Sequence, residues 1–247
     1  LGSALILLTM FGIPFYGGMI LYPLFLQGLL GYTATWSGLT VSPGGVMLVA
    51  MMPLVGWLVT RVDPRKLSAF GLIILSIALF NMSHFSLDTD FRTVVWARLF
   101  QSFGIAMIFV PINTMAYNYV SREDRNSASS LMSLGRNAGA SVGIAIVANA
   151  LQRHGQVHQS HLVQHFTPND PAYSSAFNTM KQTYQAASGD PVQSELQAHS
   201  SLYHMLQEQS MTLAFSDVYR TLAFVVICII PIVFIIRKPV KNAHLHS

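Results

Sequence analysis

Arg136 stands in the middle of LMSLGRNAGASVGIAIV, residues 131–147, a stretch otherwise apolar enough to enter lipid. A cation at membrane depth reaches back to the interface, caps free carbonyls, lines a wet path or pairs with a carboxylate. Gly135, Gly139 and Gly143 recur in the same stretch at four-residue spacing and so share one helical face. Ser130, Ser133, Asn137 and Ser141 fall on the opposite face. Small residues in this register let a second membrane helix come close. The segment therefore reads as a packing and gating helix inside a bundle, with Arg136 on the flank of its glycine face.

A second polar constellation lies in RLFQSFGIAMIFVPINTMAYNYV, residues 98–120. Arg98, Gln101, Ile105, Phe109 and Ile112 share a face there, with Ser102 and Asn113 beside it, and Pro111 frees a backbone carbonyl one turn back. Near the chain start, Phe11, Phe15, Met19 and Tyr22 form a stripe that serves as packing, lipid contact or the wall of an apolar pocket. Phe15, Met19, Tyr22, Arg98, Gln101, Phe109 and Asn113 are the candidates for substrate contact.

His154, His158, His161 and His165 in HGQVHQSHLVQH project from one face if that stretch is helical. Such pairs can ligate zinc, but no Cys or carboxylate lies beside them in sequence, so they read as a solvated face and no metal is expected. There is no nucleophile–base pairing, phosphate-binding loop or cysteine cluster, hence no enzyme and no cofactor is expected. Cys228 is the single cysteine; it lies in an apolar run, where a core-filling role is expected and no intrachain disulfide is possible.

The elements that hold these residues are membrane spans. Of 247 residues, 52% are hydrophobic and 10% charged, against roughly 25% charged in a soluble domain. Six stretches reach the length of about 20 apolar residues that a bilayer core requires: 3–28, 37–60, 64–85, 92–119, 123–151 and 213–236. Asp63-Pro64 supplies a cap and a pre-set proline for the third, Asp90 caps the fourth, and Ser121 with Asp124 forms a capping-box pattern before the fifth. Pro43-Gly44-Gly45 and Pro53 predict kinks in the second. The polar stretch 152–212 reads as an extracytoplasmic loop with two further helices, since Asp170-Pro171 and Asp190-Pro191 repeat the cap-then-proline pattern. The second of these helices can run on into the last span.

Cations fix the orientation. Arg61, Arg65 and Lys66 lie between spans two and three, Arg122 and Arg125 between four and five, and Arg237, Lys238 and Lys241 after six. The alternate loops hold none except Arg92 at one edge. Positive-inside bias places the basic segments, both chain ends and the 237–247 tail in the cytoplasm. The net charge of +4 is a topology signal and calls for no nucleic acid. Leu1 begins inside an apolar run, so a piece lacking its N-terminal part is expected.

WSGLTVSPGGVMLVAMMPLVGWLVTRVDPRKL and RLFQSFGIAMIFVPINTMAYNYVSREDRNSASSLMSLGRNAGASVGIAI resemble the C-terminal half of major facilitator superfamily exporters, in particular the EmrB/QacA group of fourteen-helix drug:proton antiporters. The resemblance implies an all-α, six-span half of a major facilitator fold in a bacterial inner membrane. It implies that the first and fourth spans face the central cavity and that the second and fifth meet the other half, with Gly139 and Gly143 at that junction. GWLVTRVDPRKL is similar to the superfamily's cytoplasmic loop motif, matched by Gly56, Arg61, Arg65 and Lys66, with Thr60 at its acidic position and Asp63 as a substitute cap. The implied activity is export of lipophilic, often cationic compounds driven by a proton gradient, with coupling carboxylates in the other half. The implied partners are a periplasmic adaptor and an outer-membrane channel. The alternatives are a dedicated fatty acid or siderophore exporter, and a long loop serving chiefly as an adaptor-docking module.

Overall fold

The computed structural model describes residues 2–117, 125–164, 166–167 and 170–235. The expectations resting on Ser121, Arg122, Asp124, His165, Arg237, Lys238 and Lys241 lie outside them. Within the described residues the chain is helical with short connections and no strand: α1 (Gly2–Gly28), α2 (Ala34–Arg61), α3 (Pro64–Met82), α4 (Phe91–Tyr117), α5 (Arg125–Val163), α6 (Pro171–Ser188) and α7 (Pro191–Ile235). Six of these, all but α6, are long and apolar enough to cross a membrane.

Helix starts follow side-chain caps. Asp63 accepts from the Arg65 backbone N–H at 3.1 Å, with Pro64 at the first helical position. Asp90 accepts from the Thr93 N–H at 3.2 Å, and the Thr93 side chain and backbone together hold the Asp90 carboxyl below its usual range. Thr33 caps α2, which begins three residues before the apolar run, accepting from the Trp36 N–H at 3.3 Å. The hydropathy pattern marks only where lipid contact begins, so it misses this turn.

The chain folds as two compact units, residues 1–148 with 218–247, and residues 149–217. In the first, α3 and α4 pack closely: a Cβ on Gly71 would meet the Gly104 carbonyl oxygen at 2.9 Å, so backbone lies almost against backbone. Leu72, Leu75, Leu79, Ile108 and Ile112 are wholly buried, and Val55 of α2 joins Leu67, Ile74, Ala106 and Met107 in one apolar cluster. The Ser76 hydroxyl donates to the Ala223 carbonyl at 3.1 Å, tying α3 to α7. Phe70, Ile73, Ile77 and Phe80 instead form an outward stripe along α3, every one of them exposed. Such a stripe is costly in water and ordinary in lipid. Cys228 is exposed as well, contrary to the expected core role, because it shares the outward face of α7 with Phe224 and Ile227.

In the second unit, α5 remains helical to Val163, twelve residues past the end expected from hydropathy. Residues 152–163 are polar but contain no proline, so the helix leaves the apolar regime without a break. Asp170 and Asp190 cap α6 and α7, accepting from Ala172 and Val192 N–H groups at 2.8 and 2.9 Å. Gly189 takes the left-handed conformation, φ +69°, that ends α6. α7 presents Ser194, Ala198, Leu202, Leu206, Ser210 and Ala214 as a buried four-residue ladder. Around it run a Lys181–Glu195 ion pair at 2.6 Å, a Tyr184–Ser201 hydroxyl pair at 2.7 Å and a Gln159-to-Tyr203 hydrogen bond at 3.0 Å.

Candidate functional site

The first unit carries a buried polar layer built by four helices. Arg98 of α4 is only 8% exposed. Its Nη1 donates to Gln101 Oε1 one turn along the same helix, and its guanidinium lies 5.4 Å from the Tyr22 ring centroid of α1. The Tyr22 hydroxyl donates to the Val94 carbonyl at 2.7 Å, pinning α1 to α4. From α2, Gly44 admits the arginine stem: a Cβ there would meet Ser102 Oγ at 2.6 Å and Arg98 Cγ at 2.9 Å. Thr40, one turn before it, is fully buried and donates to the Ser37 carbonyl at 2.7 Å. Tyr219 of α7 closes the layer; it is fully buried, and its phenol oxygen has no hydrogen-bond partner among the described residues. Arg98 Nε is likewise without one.

Tyr22, Thr40 and Arg98 each lie about 9–11 Å from one end of their helix at 1.5 Å per residue, so they occupy one level. None of the described residues in 9–28, 34–61, 64–82, 91–117, 126–148 or 218–234 is Asp or Glu. Arg98 therefore has no carboxylate partner among these residues. A buried guanidinium with an unused donor costs several kcal/mol unless something meets it. An acceptor group placed in the layer would relieve that cost.

The sequence-assigned substrate residues divide. Tyr22, Arg98 and Gln101 come together. Phe15 stacks on Phe11 at 5.5 Å and meets Tyr16 edge-on at 4.8 Å, whereas Met19 is 47% exposed. Phe109 is half-buried, and Asn113 spends its amide on the Phe109 carbonyl at 2.7 Å, in the turn around Pro111. Tyr219, Thr40 and Gly44 were not anticipated. Tyr219 is a lone phenol in an apolar span, which could have signalled a buried hydroxyl seeking a partner.

The glycine face of α5 packs against α1 of the same chain. A Cβ on Gly143 would meet Ile13 Cα and its carbonyl oxygen at 2.6 Å, one on Gly139 would run into the Thr9 carbonyl, and Gly12 returns the contact against Gly139. This corrects the junction with another half that the resemblance implied for Gly139 and Gly143. The seam is too tight for anything but backbone, and it is already filled. Ser130, Asn137 and Ser141, on the far side of α5, are exposed, while Gly135 and Arg136 are half-buried.

At the α2–α3 connection, Arg65 is buried and its Nη1 donates to the Phe234 carbonyl at 3.3 Å, placing a cation on the C-terminal end of α7. Arg61 lies 4.5 Å over the Trp57 ring. Thr60, at the motif's acidic position, donates to the Trp57 carbonyl at 2.7 Å. Lys66 is exposed and Gly56 has open space where a Cβ would be.

The profile described as Major Facilitator Superfamily matches residues 4–155. The fatty acid resistance protein FarB of Neisseria gonorrhoeae is 27% identical over 225 residues, covering 91% of this chain and 43% of the relative. The multidrug export protein EmrB of Escherichia coli (strain K12) is 31% identical over 179 residues, 71% of this chain and 35% of EmrB. The probable multidrug resistance protein EmrY of the same strain is 26% identical over 227 residues, 91% and 43%. This chain belongs to the major facilitator superfamily, a family of membrane transporters, and its similarity runs to EmrB-type members. It spans less than half the length of these relatives.

Proposed function

We propose, from its place in the major facilitator superfamily, that this chain forms the C-terminal six-span half of a proton-coupled exporter of lipophilic compounds in a bacterial inner membrane. The observation that carries the reading is the four-helix layer of Tyr22, Thr40, Gly44, Arg98, Gln101 and Tyr219: an apolar bundle enclosing a few converging polar groups suits binding of an amphiphile. Alternating access follows when this half rocks against its counterpart around that layer. Described residues 9–28, 34–61, 64–82, 91–117, 126–148 and 218–234 hold no carboxylate, and Asp217 lies near the outer end of the last span, so the groups that carry protons belong to the counterpart. Both chain ends lie in the cytoplasm on the positive-inside count. The unit 149–217 meets a periplasmic adaptor, which leads to an outer-membrane channel.

A second reading, export of a dedicated acidic amphiphile, is favoured by the same layer. Arg98 offers an uncompensated cation to a carboxylate, and one relative is named for fatty acid resistance. Cationic compounds would bind away from it, along the Phe11–Phe15–Tyr16 aromatic surface.

The test uses the full-length protein in an efflux-deficient bacterium, with acidic, neutral and cationic lipophiles as substrates. A hydrogen bond to a charged group contributes about 1.5–3 kcal/mol, so Arg98→Gln is expected to weaken export of acidic amphiphiles by about 10–100-fold. Phe109→Ala should alter the profile for neutral and cationic compounds. Efflux unchanged across the panel by both substitutions, at normal expression, would remove these residues from the transport path.

A further inference from the structure

The histidines that the sequence leaves as a solvated face acquire a carboxylate in the fold. His154 and His158 stand one turn apart on α5, and Asp217 of α7, 59 residues beyond His158, reaches both. His158 Nε2 lies 2.7 Å and His154 Nδ1 3.3 Å from the same oxygen, Asp217 Oδ2. One ligand atom from each residue falls within 4.8 Å of the others. All three residues belong to the unit 149–217. The two imidazole rings face one another with centroids 6.5 Å apart.

We propose that His154, His158 and Asp217 form a binding site for a divalent transition metal of the zinc class. Two imidazoles and one carboxylate suit such borderline ions, whereas calcium and magnesium select all-oxygen sets. A tetrahedral ion at about 2.0–2.1 Å from each donor spaces the donors about 3.3–3.5 Å apart. The His154–Asp217 separation already has that value, and the His158–Asp217 contact must open by about 0.7 Å on metal entry, within reach of side-chain rotation. The side chains are 43%, 26% and 31% exposed, so an ion and water can reach the cluster. The scaffold is two regular helices, so the donors are held by backbone and the site needs no loop to order.

The same contacts would also serve a simple histidine–carboxylate hydrogen bond, and a metal titration separates the two. The full-length protein is purified with a histidine-free tag, with His244 and His246 of the tail replaced by alanine in every sample, and stripped with a chelator. Zinc is titrated against a chromophoric competitor, and cobalt(II) serves as the spectroscopic probe of coordination. One zinc per chain is expected, with a tetrahedral or five-coordinate cobalt spectrum. Affinity should fall at least about tenfold in each of His154→Ala, His158→Ala and Asp217→Asn. His204→Ala, an exposed histidine paired within its own helix to Glu208, should change nothing. Zinc should also raise the melting temperature of the parent protein and fail to do so for Asp217→Asn, the variant closest in shape. Zinc binding unaffected by His158→Ala and Asp217→Asn, or no binding above the histidine-independent background, overturns the site. Because no transport step enters these readouts, the result stands apart from what the protein carries.

Discussion

Gly143→Ala is the sharpest probe of the α1–α5 seam. The added Cβ would sit 2.6 Å from Ile13 Cα and from its carbonyl oxygen, while ordinary contact between such atoms needs about 3.5–4.0 Å. The clash is with backbone, so no rotamer relieves it and the helices must part by about 1 Å. Overpacking of this kind costs about 1–3 kcal/mol. Alanine also improves helix propensity by about 0.8–1.0 kcal/mol over glycine, which offsets part of that cost. Gly45→Ala isolates the offset: Gly45 lies inside α2 with nothing within 4 Å of its would-be Cβ. The two variants share the propensity gain, so their difference, about 1–3 kcal/mol against Gly143→Ala, reports the seam alone. A thermal melt of the detergent-solubilised full-length protein should place Gly143→Ala below Gly45→Ala. Equal melting temperatures for Gly143→Ala and Gly45→Ala would refute the close approach of α5 to α1.

Tyr22→Phe removes the bond to the Val94 carbonyl and should cost about 0.5–1.5 kcal/mol in the same melt while keeping the ring under Arg98. Asp63→Ala should cost about 1 kcal/mol through loss of the α3 cap, and Asp63→Asn should restore most of it. Asp90 has a depressed pKa in the folded state, so its contribution is present above the ordinary carboxylate pKa and fades as pH falls through the lower folded value. Asp90→Asn should flatten that acid limb of the stability profile without loss at neutral pH, as read from melts over an acidic pH series.

Much of the bundle was legible because lipid imposes a coarse rule: apolar runs of bilayer length become helices, and Asp-Pro pairs start them. Asp63, Asp90, Asp170 and Asp190 all cap as their neighbours indicated. Length and hydropathy say nothing about where a helix ends once it leaves lipid, which is why α5 outruns its apolar section. Pairing between helices is a matter of three-dimensional neighbours. The glycine register announced a close partner without naming α1, and Tyr22, Arg98 and Gln101 could be assigned by face only up to their own helices. Tyr219 and Asp217 enter through contacts across more than fifty residues of chain, which no local pattern encodes.

Arg65 serves two physical demands with one charge. As a cation beside a membrane helix it biases which side of the bilayer receives the loop, and as a donor to the Phe234 carbonyl it clasps the exit of the last helix. Lysine in its place would keep the first role and, lacking the planar fork, loosen the second. Glutamine would weaken both. Insertion bias and the clasp can therefore be dissociated at this one position, so a defect caused by misoriented insertion can be told from one caused by a loosened bundle.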